Sequence, residues 1–170
     1  MTRPRFRLLT CWGLGYLPAS GTWGSMPPVA LALVLIIVGL SPAQHPIIFN
    51  AIMLAIVLVF SHICVHQGDM GEAWFAKKDP GEVVADEVAG QALVLMFLPL
   101  ATPHTPEQWL QVLAILACAF LAFRLFDILK LPPANALQSL PAGWGILVDD
   151  MVMAIPAWLV TQGVAWMVLS

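Results

Sequence analysis

Apolar residues run through this chain in long blocks rather than in the short periodic clusters of a soluble helix or strand. Five blocks stand out, from Trp23 to Leu40, Ile47 to His66, Val88 to Leu100, Trp109 to Phe126 and Ile146 to Leu169. A bilayer core about 30 Å thick takes roughly 20 helical residues. The second, fourth and fifth blocks meet that length directly. The first is near the lower limit, with Pro27 and Pro28 at its opening turn, where proline is tolerated. The third is too short alone. It crosses only if its helix starts near Gly81, carrying Glu82, Asp86 and Glu87 in its first turns; otherwise it forms a re-entrant segment. The pattern predicts an all-α, polytopic membrane helical bundle with about four to five membrane segments, some short or re-entrant. There is no internal repeat or low-complexity tract, and residues 1–170 read as a single integral membrane domain.

Composition removes most other classes. Of 170 residues, 60% are apolar and 10% charged, against about 45–50% and about 25% in soluble domains. Mean hydropathy is +0.87, so too little polar surface remains to coat a water-soluble globule. A soluble enzyme, a disordered chain and a nucleic-acid binder are excluded. Cys11, Cys64 and Cys118 are odd in number and lie in apolar runs, which suits small core residues rather than disulfides. Arg3, Arg5 and Arg7 precede an apolar stretch with small residues at Ala19-Ser20-Gly21, as in a signal peptide. Gly13, Gly15 and Pro18 interrupt that stretch and further membrane segments follow, so the start is expected to stay uncleaved.

Charge sets an orientation. The connections at Ser41–Pro46 and Ala101–Gln108 contain no lysine or arginine. Arg3, Arg5, Arg7, Lys77, Lys78, Arg124 and Lys130 all fall on the other side if five blocks cross, and the positive-inside rule makes that side cytoplasmic. Nine of the ten acids lie there too; only Glu107 does not. Function is therefore expected at the cytosolic membrane surface.

The carboxylates come first among candidate chemistry. Asp86–Glu87 and Asp149–Asp150 are adjacent pairs where polar stretches enter apolar helices, and Asp127 ends the fourth block. Acids at membrane depth cost several kcal/mol unless paired, hydrated or metal-bound. Capping of helix N-termini explains one acid per end, but adjacent pairs poorly, because neighbours on a helix point about 100° apart. Hard oxygen ligands converging from three helices suit Mg²⁺. In FRLFDILK, Arg124, Asp127 and Lys130 are spaced by three; they form either an ion pair plus a snorkelling lysine or a clamp on phosphate. GTWGS, Gly21 to Ser25, reads either as a turn with an N-cap serine or as a backbone site for an anion.

Two other motifs carry less. Cys118 to Arg124 has the C-x5-R spacing of cysteine phosphatases, but the intervening AFLAF is helical and apolar and gives the thiol no cause to ionise. His62 and His66 have the i,i+4 spacing of a helical metal pair. His66 is close enough to the surface to join the site, and His62 is expected to be a buried hydrogen-bonding residue. A small membrane cation transporter is the rival function, since intramembrane acids also mark ion pathways; it requires acids at mid-depth and access from both faces. A head-group phosphotransferase would carry D-x2-D-G-x2-A-R, which is absent.

GTWGS, DPGEVVADEVAG (Asp79 to Gly90), FRLFDILK (Phe123 to Lys130) and GWGILVDD (Gly143 to Asp150) occur in the order and context of phosphatidylglycerophosphatase A, and from about Gly13 to Ala157 the chain resembles that family. The resemblance implies a bacterial inner-membrane, multi-pass, Mg²⁺-dependent lipid phosphatase with its site facing the cytosol. Its reaction converts phosphatidylglycerophosphate to phosphatidylglycerol and inorganic phosphate. By position it implies catalytic and metal-binding roles for Asp86, Glu87, Asp127, Asp149 and Asp150, and phosphate-binding roles for Thr22, Gly24, Ser25, Arg124 and Lys130. The nucleophile is a metal-activated water or a carboxylate; with no cysteine or histidine constellation the reading leans to water, with Asp150 or Glu87 as base. The chain departs from the family pattern at Ala85, where tryptophan is usual, at Leu131 between Lys130 and Pro132, and at Gln138 in place of an acid.

Overall fold

The computed structural model describes residues 7–129, 132, 140 and 143–170; Lys130 lies outside them. After a short 3-10 segment at Cys11–Tyr16, the helices are α1 (Ser20–Ile37), α2 (Pro46–Phe75), α3 (Ala85–Val94), α4 (Pro106–Leu129) and α5 (Gly143–Leu169). Of these, α1, α2, α4 and α5 are long and apolar enough to cross a membrane.

Local sequence accounts for the ends. α1 closes in a Schellman arrangement: Gly39 takes φ +86°, its N–H reaches the Ile36 carbonyl at 3.1 Å, and the Leu40 N–H reaches Leu35 at 2.8 Å. α2 opens with Pro46 at its first position. Its 30 residues give a length of about 45 Å, nine residues beyond the predicted end at His66, so its last turns stand clear of the hydrocarbon. α4 opens with a capping box. The Thr105 hydroxyl accepts the Gln108 N–H at 3.3 Å, and the Gln108 side chain accepts the His104 N–H at 2.7 Å.

Two boundaries differ from the expectation. α1 begins at Ser20, after Ala19 turns left-handed (φ 56°), so GTWGS lies inside the helix and Pro27 and Pro28 fall in its interior. The third segment neither starts near Gly81 nor folds back. α3 has ten residues, about 15 Å, and cannot cross alone. Beyond it the backbone turns left-handed at Phe97 (φ 61°) and continues without helix to the opposite end, where the Ala43 N–H donates to Leu100 at 2.9 Å. Irregular backbone survives at membrane depth only when protein groups satisfy it. Here the Phe97 N–H donates to Asn50 at 2.8 Å, Trp158 donates to the Met96 carbonyl at 2.8 Å, and Gln162 donates to the Phe97 carbonyl at 3.0 Å.

α3 is the central post, packed against α1, α2, α4 and α5. Being covered on most sides, it is built from small residues; Ala85, Ala89, Gly90 and Ala92 are all buried. The main core joins Ala32 and Ile36 of α1, Met53 of α2, Ile115 and Phe123 of α4, and Ala154 and Ala157 of α5. The outer surface is apolar, with Val34, Leu58, Leu121 and Leu159 exposed, and exposed tryptophans mark both ends: Trp12, Trp23, Trp74 and Trp144 at one, Trp166 at the other. This is the surface of a protein that sits in lipid.

α2 and α5 meet through paired glycines. A Cβ on Gly68 would strike the Cα of Gly143, and one on Gly143 would strike the Cys64 carbonyl. Gly143→Val is therefore expected to cost about 3 kcal/mol. Gly163→Ala, within α5 but with nothing near its Cβ, is expected to stabilise by about 0.5–1 kcal/mol. Thermal unfolding of both variants in detergent micelles checks the pair.

Candidate active site

Three helices bring charged groups to the same end of the bundle. α3 carries Asp86 and Glu87 in its first turn, where the helix dipole favours negative charge. α5 carries Asp149 and Asp150 near its start, and α4 carries Arg124 and Asp127 near its end. Asp86, Asp127, Asp149 and Asp150 are all buried. Among the described residues, Asp86, Glu87 and Asp150 converge, with one ligand atom from each within 4.8 Å of the others. Asp127 lies outside that trio. It holds Nη1 of Arg124 at 2.7 Å, the i,i+3 ion pair expected from its spacing, and its side chain also hydrogen-bonds Asp150. Asp149 points elsewhere on the helix yet is near enough to Asp86 to act on its charge.

Oxygens of the trio remain open. Asp86 Oδ1, Glu87 Oε2 and Asp150 Oδ2 are buried with no hydrogen-bond partner. Leaving such atoms unmatched is expensive, and three carboxylates that each bring an oxygen within 4.8 Å of the others are a hard donor set for a divalent cation. Asp86 and Glu87 lie outside the four membrane-length helices, and burial raises both. Asp86 is held well above the ordinary carboxylate range, with the Glu87 charge adding to the effect. Burial pushes Glu87 up to about 8, partly offset by its hydrogen bond from Asp86 and by Arg124.

The glycine motif forms the first turns of α1 and packs against the acidic end. A Cβ on Gly21 would lie 2.5 and 2.6 Å from the Arg124 terminal nitrogens and 2.7 Å from Glu87 Oε1. Only hydrogen fits there, and α1 can then press against both charged groups. Gly24 similarly abuts Val84 and the Glu87 Cβ. The Ser25 hydroxyl, buried, donates to the Gly21 carbonyl at 2.8 Å inside the helix, so it neither caps the helix nor points outward. Thr22 is half-buried. His62 and His66 lie with ring centroids 4.2 Å apart and planes tilted by 53°, but both are exposed on α2. The packed face of α2 carries Cys64, Gly68 and Gly71, so His66 does not join the acids and His62 is not buried.

One residue escaped the sequence reading. Gln91 is fully buried, and neither atom of its amide has a partner. It stands four residues after Glu87, hence on the same face of α3 one turn deeper. The DEVAGQ spacing was the available signal; an amide inside an apolar run carries no charge to draw attention.

A family model described as phosphatidylglycerophosphatase A matches residues 7–165. A Haemophilus influenzae protein named phosphatidylglycerophosphatase A is 34% identical over 172 residues, covering 99% of this chain and 93% of the relative. A Bacteroides thetaiotaomicron protein named as a candidate phosphatidylinositol-3-phosphatase is 27% identical over 175 residues, covering 99% of each. No solved structure gives a significant match.

Two outcomes follow from the buried polar groups. Without divalent cation the folded protein retains a proton on Glu87 that the unfolded chain releases above its ordinary value near 4.5. Stability should then fall as pH rises from about 4.5 towards about 8, and Mg²⁺, by replacing protons, should abolish that fall. Unfolding temperatures across this range, in EDTA and in Mg²⁺, measure it. Gln91→Leu should raise stability by about 1–3 kcal/mol, by removing an unmet amide, while lowering turnover. Truncating an ordinary core residue lowers stability instead.

Proposed function

The chain belongs to the phosphatidylglycerophosphatase A family, and we propose that it hydrolyses the terminal phosphomonoester of phosphatidylglycerophosphate, releasing inorganic phosphate and leaving phosphatidylglycerol in the bilayer. The observation that carries this is the convergence of Asp86, Glu87 and Asp150 beside the Arg124 guanidinium at one end of a lipid-facing bundle. Both relatives are named for lipid head-group phosphatases, not for transporters. Nine of the ten acids gather at one end, which suits a surface reaction better than a path through the membrane.

Asp86, Glu87 and Asp150 would hold Mg²⁺, with Asp127 and Asp149 adding negative charge around them. Bound there, Mg²⁺ supplies neutralisation of phosphoryl charge and an acidified water. Arg124 takes the non-bridging phosphate oxygens, since its planar fork matches them, and Asp127 fixes its orientation through the ion pair. Thr22 stands in the turn of α1 beside Gly21 and adds a hydroxyl donor; Lys130 adds a second cation. Gly24 and Ser25 serve by letting α1 approach. A water oxygen attacks phosphorus in line with the ester oxygen. Its proton passes to the carboxylate of Glu87 or Asp150, the phosphorus–ester bond breaks, and the departing glycerol oxygen takes a proton from solvent. Positioning and electrostatics supply most of the rate in such transfers.

The acidic end faces the cytosol of a bacterial inner membrane in this reading, because the opposite connections lack lysine and arginine. Detergent-purified protein should release phosphate from phosphatidylglycerophosphate in Mg²⁺ and stop in EDTA. Asp86→Asn and Asp150→Asn should each lower kcat by about a hundredfold or more while keeping the wild-type oligomeric profile and a cooperative unfolding transition. Near-normal turnover in both folded variants would overturn the assignment. Faster release from phosphatidylinositol 3-phosphate would transfer it to the other named head group.

A further inference from the structure

An apolar groove lies in the membrane face between α1 and α4. Met26, Val29 and Leu33 of α1 and Leu113 and Phe120 of α4 line an apolar cavity of about 340 Å³, with Ala30 and Ala117 also on its wall. Met26, Ala30, Leu113 and Ala117 are exposed, so the groove lies open to acyl chains.

Its register ties it to the chemistry. On α4, Leu113, Ala117 and Phe120 share a stripe with Arg124, at successive offsets of four, three and four residues. On α1, Thr22, Met26, Val29 and Leu33 repeat the same offsets. Such spacing keeps each set on one helix face. The two stripes that line the groove are therefore headed by Thr22 and Arg124, where α1 and α4 pinch together at Gly21. From Phe120 to Leu113 the groove runs roughly 10 Å along the helix.

Two other apolar hollows lack this connection. The one between α4 and α5, at Ala114, Cys118, Leu121 and Leu125, follows a stripe that ends on leucine. The one at Phe97 and Trp158 lies near the break after α3.

We propose that the α1–α4 groove seats one acyl chain of the lipid whose phosphate rests on Arg124, so that substrate slides sideways from the leaflet into the site. This rests on the phosphatase reading above. A phosphate monoester anchored at Arg124 must lead its glycerol and chains away from the crowded acids, and the groove is the apolar path that starts one turn from that residue.

The test uses full-length protein and phosphatidylglycerophosphates of increasing acyl length in mixed micelles, from dibutanoyl to dioleoyl. For wild type, kcat/KM should climb with chain length and then level off once the groove is filled. Ala30→Trp and Leu113→Trp, at exposed positions, should cut kcat/KM for the dioleoyl lipid about tenfold, the loss expected from roughly two methylenes left unburied. Both should cleave the dibutanoyl lipid at the wild-type rate. Ala114→Trp, in the neighbouring hollow, should change neither. Equal losses on both lipids, or full activity on dioleoyl lipid in both groove variants, would overturn the acyl seat and leave the groove to bulk lipid. No phosphate release by wild type at any chain length would fail the phosphatase reading itself, and the acyl seat with it.

Discussion

Withdrawing carboxylates from water is the costliest act in this bundle, and the arrangement around them follows from it. Asp86, Glu87 and Asp150 are drawn together with oxygens left unmatched, an arrangement that a chain of this composition could not keep for structural benefit alone. Two neighbouring elements reduce the cost: the α3 dipole meets two of the acids and Arg124 stands beside Glu87. Asp127, paired with the arginine, instead adds a further negative charge beside Asp150. What is left over is a place for positive charge that the chain does not itself provide, which is the property a metal-assisted phosphatase needs.

The broken third segment serves the same end. A full membrane helix in the central position would have to fill the bundle from end to end with one regular face pattern. A ten-residue helix followed by irregular backbone lets the acid-bearing turn be set by its packing on α1 and α5, while Asn50, Trp158 and Gln162 secure the far half separately. The polar side chains Asn50 of α2 and Trp158 and Gln162 of α5 are thus explained by backbone they satisfy, not by a transport path. Gln91, by contrast, satisfies no backbone and sits on the face of the carboxylates.

Much of this was legible in the chain. Hydrophobic block length marks α2, α4 and α5 because in lipid every spanning backbone must close its own hydrogen bonds, leaving length as the dominant signal. The gathering of acids at one end follows from topology alone. Besides Gln91, three features were not legible. The start of α1 was hidden because glycine, threonine and serine look like a turn, and only contact with Glu87 and Arg124 shows why small residues belong inside that helix. The end of α3 depends on side chains some tens of residues away in sequence, which no local pattern reports. The packed face of α2 is hidden at the histidines because Cys64 and Gly68, two residues to either side of His66, are the ones that meet the bundle.

The junction between groove and acidic end has a thermodynamic consequence. Under the proposed reaction, a bond cut there would yield one product soluble only in the bilayer and one soluble only in water. Each dilutes into its own phase, so the reverse reaction requires both to meet again at a single seam of the protein surface. Hydrolysis at such a boundary is drawn forward by partition as well as by chemistry, and the enzyme needs no gate to keep its products apart.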